Sequence, residues 1–375
     1  MRALGTPLVI GHRGASGYRP EHTRTAYRLA FALGADAVEP DIVATRDGVL
    51  VLRHENEISQ TTDVATRREF ADRRTTKSID GESVTGWFTE DFTWPELATL
   101  RAVERLPGIR SSNATFDGLD PIMRLSDLLP LIDEASDAAG RPLRLVAELK
   151  HATYFESIGL PLDELFATEV AGWVRDETLI TESFEQSVLD KLIIRGVPGK
   201  KIYLHEATGA AADLVARDGR SARTYEQQRS EADLAELARN GIHGISVDKA
   251  VLLEDAASRQ PRGRGSGEPA SSIRLGGLTR EPLTGRALVE RAHAHGLEVY
   301  SWTLRPENRF LLKRHRGKGS AADWGDWRAE FEAVLSTGVD GVFADHPDLV
   351  LDAIERSRLS RDERLSRTSR ERTGD

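Results

Sequence analysis

Short apolar runs alternate with longer amphipathic segments along almost the whole chain, and this alternation constrains the fold most strongly. The apolar runs predict eight strands, near residues 8–11, 37–42, 144–149, 178–183, 201–204, 243–248, 298–303 and 341–345. Apolar spacing predicts helices near residues 22–34, 126–139, 161–174, 185–196, 231–240, 284–296, 325–337 and 347–357. Such alternation is typical of parallel strands joined by helical crossovers. Eight repeats favour a closed α/β barrel, a (β/α)8 TIM barrel, over an open doubly wound sheet. No Gly-x-Gly-x-x-Gly motif follows the first strand, which weakens a dinucleotide-binding alternative.

The composition excludes several classes of protein. A chain of 375 residues with 39% hydrophobic content can bury one large core or two modest ones. The formal net charge of −9 argues against nucleic-acid binding, and no apolar run reaches the roughly 18 residues of a membrane span. The lack of cysteine excludes disulfides and thiolate metal sites. No apolar run is long enough for a signal peptide, so the chain as given is expected to be cytoplasmic, although a trimmed export signal would leave the same sequence. Its oligomeric state is left open.

Residues 43–54 depart from the simple repeat and predict a hairpin. Asp47 and Gly48 form a strong turn signal, and an apolar run follows them. The link is too short for a parallel crossover, so residues 37–54 are expected to form one long hairpin above the barrel rim. A turn centred between residues 47 and 48 would place His54 opposite Asp41.

Residues 55–121 show little helical or strand period and are rich in threonine, aspartate and aromatic residues. Long ordered insertions in barrels usually lie over the active face. The sequence therefore predicts a barrel domain from residues 1–54 and 122–357, with a small inserted subdomain after strand 2. The glycine-rich stretch 262–267 predicts a flexible loop, and the almost wholly polar residues 358–375 predict a disordered tail.

Carboxylates cluster at the ends of two neighbouring predicted strands. Residues two apart in a strand face the same way, so Glu39 and Asp41 share a face, as do Glu148 and Lys150. Barrel active sites gather at the C-terminal strand ends, where the three carboxylates can converge. Three hard oxygen ligands suit Ca²⁺ or Mg²⁺ better than zinc. A salt bridge to Arg13 or Lys150 is the better interpretation for any one carboxylate alone, whereas the group of three favours a metal.

Two histidines follow the first strand and the returning arm of the hairpin. A pair such as His12 and His54 can donate and accept a proton near neutral pH, although a lone strand-end histidine usually makes only a structural hydrogen bond. Arg13 offers a planar fork of donors to an oxyanion, and Lys150 adds a point charge. A divalent cation and these two side chains around a histidine pair describe a site for a phosphate group. A glycosidase would instead need two carboxylates across the scissile bond.

Further polar or aromatic residues end the later strands. Some of them are expected to line the pocket, and rim packing or helix capping is at least as common for each. These weaker candidates are Ser183, Phe184, His205, Asp248, Trp302, Asp345 and His346.

Several of these motifs together resemble the glycerophosphodiester phosphodiesterase family. The matching stretches are Gly-His-Arg-Gly-Ala at 11–15, Pro-Glu-His-Thr at 20–23, Glu-Pro-Asp at 39–41, Arg-His-Glu at 53–55 and Glu-Leu-Lys at 148–150. Thr-Thr-Asp-Val at 61–64 and Gly-Trp-Phe-Thr-Glu-Asp-Phe at 86–92 resemble the longer, calcium-using bacterial branch that supplies glycerol 3-phosphate. Many relatives have asparagine where this chain has His22, a difference expected to change only a cap or loop bond.

The resemblance implies a TIM barrel with a small inserted subdomain. It implies hydrolysis of small-molecule glycerophosphodiesters, such as glycerophosphocholine, to an alcohol and sn-glycerol 3-phosphate, with Ca²⁺ or alternatively Mg²⁺ as cofactor. The metal ligands match Glu39, Asp41 and Glu148, and the general acid and base match His12 and His54. The phosphate-contacting positions match Arg13 and Lys150. Phe184 and Trp302, two of the strand-end candidates, are also expected to contact the substrate.

Two other functions are left open by the sequence. One is a phosphodiester lyase of the same barrel type that releases a cyclic phosphate, as the sphingomyelinase D toxins do. The other is a non-catalytic protein that binds a phosphate ligand, although binding alone needs no acid/base pair.

Overall fold

Eight strand positions close into a parallel barrel, as the sequence predicts, in a computed structural model that describes residues 5–173, 178–253 and 282–359. The second position is split at Pro40, whose ring nitrogen cannot donate to a ladder. Its first part pairs with both the first and the third barrel positions, and its second part pairs with the third position and with the returning arm of a hairpin. The strands are β1 (Leu8–His12), β2 (Ala37–Glu39), β3 (Asp41–Ala44), β4 (Leu50–Leu52), β5 (Thr75–Ile79), β6 (Glu82–Gly86), β7 (Arg144–Leu149), β8 (Leu179–Ser183), β9 (Lys200–His205), β10 (Gly244–Asp248), β11 (Glu298–Leu304) and β12 (Gly341–Ala344).

Helices follow the barrel strands, and all eight predicted helices are present with ends that move by a few residues. Helices of one to two turns were not predicted, because they are too short to show an apolar period. The helices are α1 (Arg24–Ala32), α2 (Trp94–Leu97), α3 (Leu125–Ala139), α4 (Ala152–Ser157), α5 (Leu162–Val170), α6 (Gln186–Ile194), α7 (Ala212–Asp218), α8 (Glu231–Arg239), α9 (Lys249–Leu253), α10 (Gly285–Ala294), α11 (Trp327–Leu335) and a last one over residues 347–359.

The barrel interior has an apolar layer beneath a charged layer. Residues two apart on a strand point to the same side, so His12 lies one step above Ile10, and Glu148 lies one step above Val146. The charged layer is thereby at the C-terminal end of the strands, where barrel active sites form. The buried apolar layer consists of Ile10, Ala37, Val146, Ile180, Ile202, Tyr300 and Phe343.

The hairpin of β3 and β4 is present, but the predicted pairing of Asp41 with His54 is wrong by one residue. Arg53 lies opposite Asp41, and its N–H donates to the Asp41 carbonyl oxygen at 3.0 Å. The loop contains three residues, 46–48, whereas a turn centred between residues 47 and 48 requires an even number. Gly48 has a φ of +77°, which is typical of three-residue hairpin loops and less accessible to residues with a Cβ.

Residues 55–121 contain short elements, among them the antiparallel pair β5–β6 and the single-turn helix α2. Their fully buried Phe92 and Leu100 belong to the same apolar cluster as the residues between the barrel strands and the helices. The division of this segment into a separate subdomain stays a prediction. The predicted loop at 262–267 and residues 360–375 of the predicted tail lie outside the described residues. Among the helices described, none is long and apolar enough to cross a membrane.

Candidate active site

A cavity of about 740 Å³ opens at the C-terminal ends of the barrel strands. Of the nine site residues predicted from the sequence, eight line it, and only Asp41 is buried behind its wall. The eight lining residues are His12, Arg13, Glu39, His54, Glu148, Lys150, Phe184 and Trp302.

Three buried carboxylates meet at the floor of the cavity. One oxygen from each of Glu39, Glu148 and Glu182 lies within 4.8 Å of the other two. Burial, together with the neighbouring carboxylates, raises the pKa of Glu39 and Glu182 well above the usual range. Burial also raises the pKa of Glu148, to about 8, although Lys150 Nζ lies 2.7 Å from its Oε1. Ionisation of all three carboxyls would therefore place more negative charge here than the neighbouring cationic groups neutralise.

Asp41 lies beside this cluster and faces the cationic groups. Its Oδ2 is 3.2 Å from Arg13 Nε and 2.9 Å from His22 Nε2. Burial alone would raise the pKa of Asp41, but His54, Arg13 and Lys150 hold it well below its usual range. The contact with His22 differs from the expectation that this residue affects only a cap or loop bond; Thr23 caps α1, which leaves the imidazole free to reach the carboxylate.

The donor set at the floor of the cavity fits a divalent cation. Glu39 Oε1, Asp41 Oδ1 and Glu182 Oε2 are buried and have no hydrogen-bond partner within the described part of the chain. Buried ionised groups are strongly unfavourable unless they are paired or bind a metal. Carboxylate oxygens are the ligands that Ca²⁺ and Mg²⁺ prefer, so these residues can hold either ion.

His12 is oriented by a carboxylate that two arginines hold in place. Its Nδ1 lies 2.6 Å from Asp345 Oδ1, and Asp345 Oδ2 accepts hydrogen bonds from Arg110 at 2.6 Å and Arg305 at 2.7 Å. Burial and then Arg13 lower the pKa of His12 to about 4, although Asp345 acts in the opposite direction. An ionised Asp345 can only accept, so Nδ1 carries the hydrogen and Nε2 keeps a free lone pair.

His54 is oriented in the same way. Each set of a histidine, its carboxylate and the arginines bound to that carboxylate is called a histidine relay below. Its Nδ1 lies 2.5 Å from Glu55 Oε1, and Arg105 donates to both oxygens of Glu55 at 2.9 and 2.6 Å. Arg105 also donates to both oxygens of Glu21, which accepts from Arg13 at 3.0 Å. Burial, followed by Arg13 and Lys150, lowers the pKa of His54 to about 3. Both imidazoles are therefore neutral at neutral pH, each with Nδ1 bound to a carboxylate.

Sequence reasoning missed Glu182 and the arginines of the two relays. The strand period could have indicated Glu182, which lies directly opposite Glu148 in the β7–β8 pairing. No local signal marks Arg105 and Arg110, because they lie in the segment without a regular period and act through contacts with distant residues.

The weaker candidates have mixed outcomes. Asp248 lines the cavity, whereas His205 is fully buried outside it. Ser183 donates to the Leu149 carbonyl oxygen and accepts from Glu185 N–H, which are structural bonds at the start of a helix. His346 packs edge-on against Tyr18. Phe184 and Trp302 meet edge-to-face with 5.6 Å between ring centroids and form an aromatic wall.

Known proteins resemble this chain in sequence and in fold. Glycerophosphodiester phosphodiesterase GDPD6 of Arabidopsis thaliana is 27% identical over 350 residues, which cover 90% of this chain and 83% of the relative. A phosphodiesterase of Oleispira antarctica in complex with the product sn-glycerol-3-phosphate superposes with a TM-score of 0.57 and 17% identity, over 93% of this chain and 97% of that one. Glycerophosphodiester phosphodiesterase of Agrobacterium tumefaciens gives a TM-score of 0.53 and 18% identity, over 92% and 99%. Structural similarity at such low identity establishes the fold.

The sequence model of the glycerophosphoryl diester phosphodiesterase family matches residues 12–349. The match begins at His12 and includes every residue of the carboxylate cluster and of the two histidine relays. The chain therefore belongs to the glycerophosphoryl diester phosphodiesterase family and is an enzyme of that class.

Proposed function

We propose that this chain hydrolyses glycerophosphodiesters, such as glycerophosphocholine and glycerophosphoethanolamine, to an alcohol and sn-glycerol 3-phosphate. The observation that carries the proposal is the pair of neutral histidines, each with Nδ1 bound to a carboxylate, beside a carboxylate cluster and two cationic side chains. The product complex of the Oleispira antarctica relative supports the choice of product.

A divalent cation is proposed to bind Glu39, Asp41 and Glu148, where it would withdraw charge from a phosphate oxygen. We propose Ca²⁺, with Mg²⁺ as the alternative. Arg13 and Lys150 are proposed to bind the remaining phosphate charge. Burial lowers the pKa of each, but the neighbouring carboxylates outweigh it and raise both pKa values, so both side chains stay cationic.

The two histidines are proposed to transfer the protons. One imidazole takes a proton from the nucleophile, which is either water or the neighbouring glycerol hydroxyl, and the other protonates the leaving alkoxide. Asp345 and Glu55 stabilise the imidazolium forms, and a bound phosphodiester anion raises the pKa of the imidazole that must donate. Phe184 and Trp302 are proposed to contact the substrate at the aromatic wall.

Residues 55–121 are proposed to form the inserted subdomain over the active face. Their Arg105 and Arg110 support this, because each holds the carboxylate behind one of the two histidines. The segment would thus position the acid and the base together.

Replacing Arg105 with glutamine is expected to lower kcat by about 10²-fold with little change in KM, because a small displacement of a catalytic group has a large effect on rate. Steady-state kinetics with glycerophosphocholine measure kcat and KM separately. Arg101→Gln is a matched control, since the Arg101 side chain donates only to nearby carbonyl oxygens of the same segment among the contacts described. An unchanged kcat in Arg105→Gln would contradict the positioning role.

The decisive experiment measures turnover of glycerophosphocholine with Ca²⁺, with Mg²⁺ and with a chelator, by coupling product formation to glycerol 3-phosphate oxidation. We expect turnover with a divalent cation and loss of turnover with the chelator. Phosphorus NMR of the products separates the alternatives, because a lyase would accumulate a stable cyclic phosphate. Failure to turn over any glycerophosphodiester in either metal would refute the proposal.

A further inference from the structure

Glu182 adds a carboxylate from β8 to those from the strands beside it. In the sheet register, Asp41 of β3 lies opposite Glu148 of β7, and Glu148 lies opposite Glu182 of β8. Glu39 at the end of β2 adds a fourth carboxylate, and an oxygen of Glu182 lies within 4.8 Å of oxygens of Glu39 and Glu148. The closed barrel therefore directs four acidic side chains to one place.

The nearby cationic groups are bound to the other carboxylates. Lys150 Nζ lies 2.7 Å from Glu148 and 3.8 Å from Asp41, and Arg13 contacts Glu21 and Asp41. Glu182 is only 2% exposed, and its Oε2 has no hydrogen-bond partner among residues 5–173, 178–253 and 282–359. Protonation would not satisfy this group, because a neutral carboxyl still needs an acceptor for its O–H. A buried polar group without a partner is unfavourable, which indicates that Glu182 binds a group that the polypeptide does not supply.

We infer that Glu182 is a ligand of the divalent cation of this site and makes the site prefer Ca²⁺ to Mg²⁺. This inference rests on the metal dependence in the proposed function. The sequence motifs assign three carboxylates to the metal, so Glu182 is a fourth.

The size and number of the ligands favour Ca²⁺. Ca²⁺ accepts about six to eight oxygens at roughly 2.3–2.6 Å, so opposed ligand oxygens are up to about 5 Å apart. Mg²⁺ requires about 2.0–2.1 Å and a near-ideal octahedron, and it retains several waters. Three glutamates within the observed separation, together with the adjacent Asp41, supply more carboxylates than the one or two that Mg²⁺ usually binds, whereas Ca²⁺ can bind them all.

Calorimetric titration of the metal-free protein with CaCl₂ and with MgCl₂ tests the inference. Glu182→Gln keeps the size of the side chain and removes its charge. We expect it to weaken Ca²⁺ binding by at least about tenfold, by analogy with the loss of groups that support a metal site, and to weaken Mg²⁺ binding less. Glu206→Gln is the matched control, because Glu206 lines the same cavity but lies outside the carboxylate cluster. It should change Ca²⁺ affinity by less than about threefold, since solvent screens a more distant charge.

Glu182→Asp keeps the charge but draws the carboxylate back by one methylene, and its Ca²⁺ affinity should be intermediate. If Glu182→Gln does not fold, Glu182→Asp alone tests whether this side chain contributes to Ca²⁺ affinity. Equal Ca²⁺ affinity in the wild type, Glu182→Gln and Glu182→Asp would overturn the inference while the proposed hydrolysis stands. A wild-type protein that binds neither ion would overturn both the inference and the metal dependence.

Discussion

Replacing either His12 or His54 with alanine is expected to lower kcat for glycerophosphocholine by about 10²–10⁴, the usual contribution of a positioned proton donor or acceptor. Each imidazole is neutral, has Nδ1 bound to a carboxylate and lines the cavity. Because neither histidine is proposed to bind the metal, calcium affinity should stay close to that of the wild type. Calorimetry and steady-state kinetics on the same preparations measure both quantities.

A substrate with a better leaving group shows which histidine is the general acid and which is the general base. A glycerophosphodiester with a nitrophenyl leaving group needs little protonation, so the variant that lacks the acid should recover most of its rate, while the variant that lacks the base should not. His151→Asn is a matched control, because His151 lines the same cavity but is bound to Asp80 at 2.6 Å. Asparagine tolerates its positive φ of 52°. Near-normal turnover in both alanine variants would show that the histidines do not carry out the chemistry.

The barrel and most of the site could be predicted because both follow from strand periodicity. A period of two residues directs His12, Glu39 and Glu148 into the barrel, and closure of the sheet brings the strand ends together. The same rule indicates Glu182, which lies opposite Glu148 in the β7–β8 pairing. The signal for this residue is therefore present in the sequence.

Other features could not be read from local patterns. The register of the β3–β4 hairpin depends on whether its loop has two, three or four residues, and Asp47-Gly48 is compatible with more than one of these. Arg105 and Arg110 reach their partners only after residues 55–121 have folded against the barrel. Their spacing carries no information about Glu55 or Asp345, which lie elsewhere in the chain.

The stability of the protein is expected to depend on metal most strongly above neutral pH. Burial, with Asp41 adding to it, raises the pKa of Glu148 from 4.5 to about 8, and the pKa values of Glu39 and Glu182 shift in the same direction. Between pH 4.5 and about pH 8, Glu148 keeps a proton in the native state that it has already released in the unfolded chain. The contribution of these groups to the free energy of unfolding therefore falls as pH rises. A bound cation takes the place of the protons, so the free energy of unfolding no longer falls with pH on account of these carboxyls.

The difference in Tm between calcium-loaded and metal-free protein should accordingly increase from pH 6 to pH 8. His12 and His54 do not obscure this trend, because their pKa values of about 4 and about 3 keep both neutral in the native state with or without metal. At 100 times its Kd, calcium should add about 2.7 kcal/mol to the free energy of unfolding. Glu148→Gln removes one titrating ligand, so both the calcium-induced shift and its pH dependence should shrink. A calcium shift that is equal at pH 6 and pH 8 would mean that protons and metal do not compete for these carboxylates, and the carboxylate cluster would then not be the cation site.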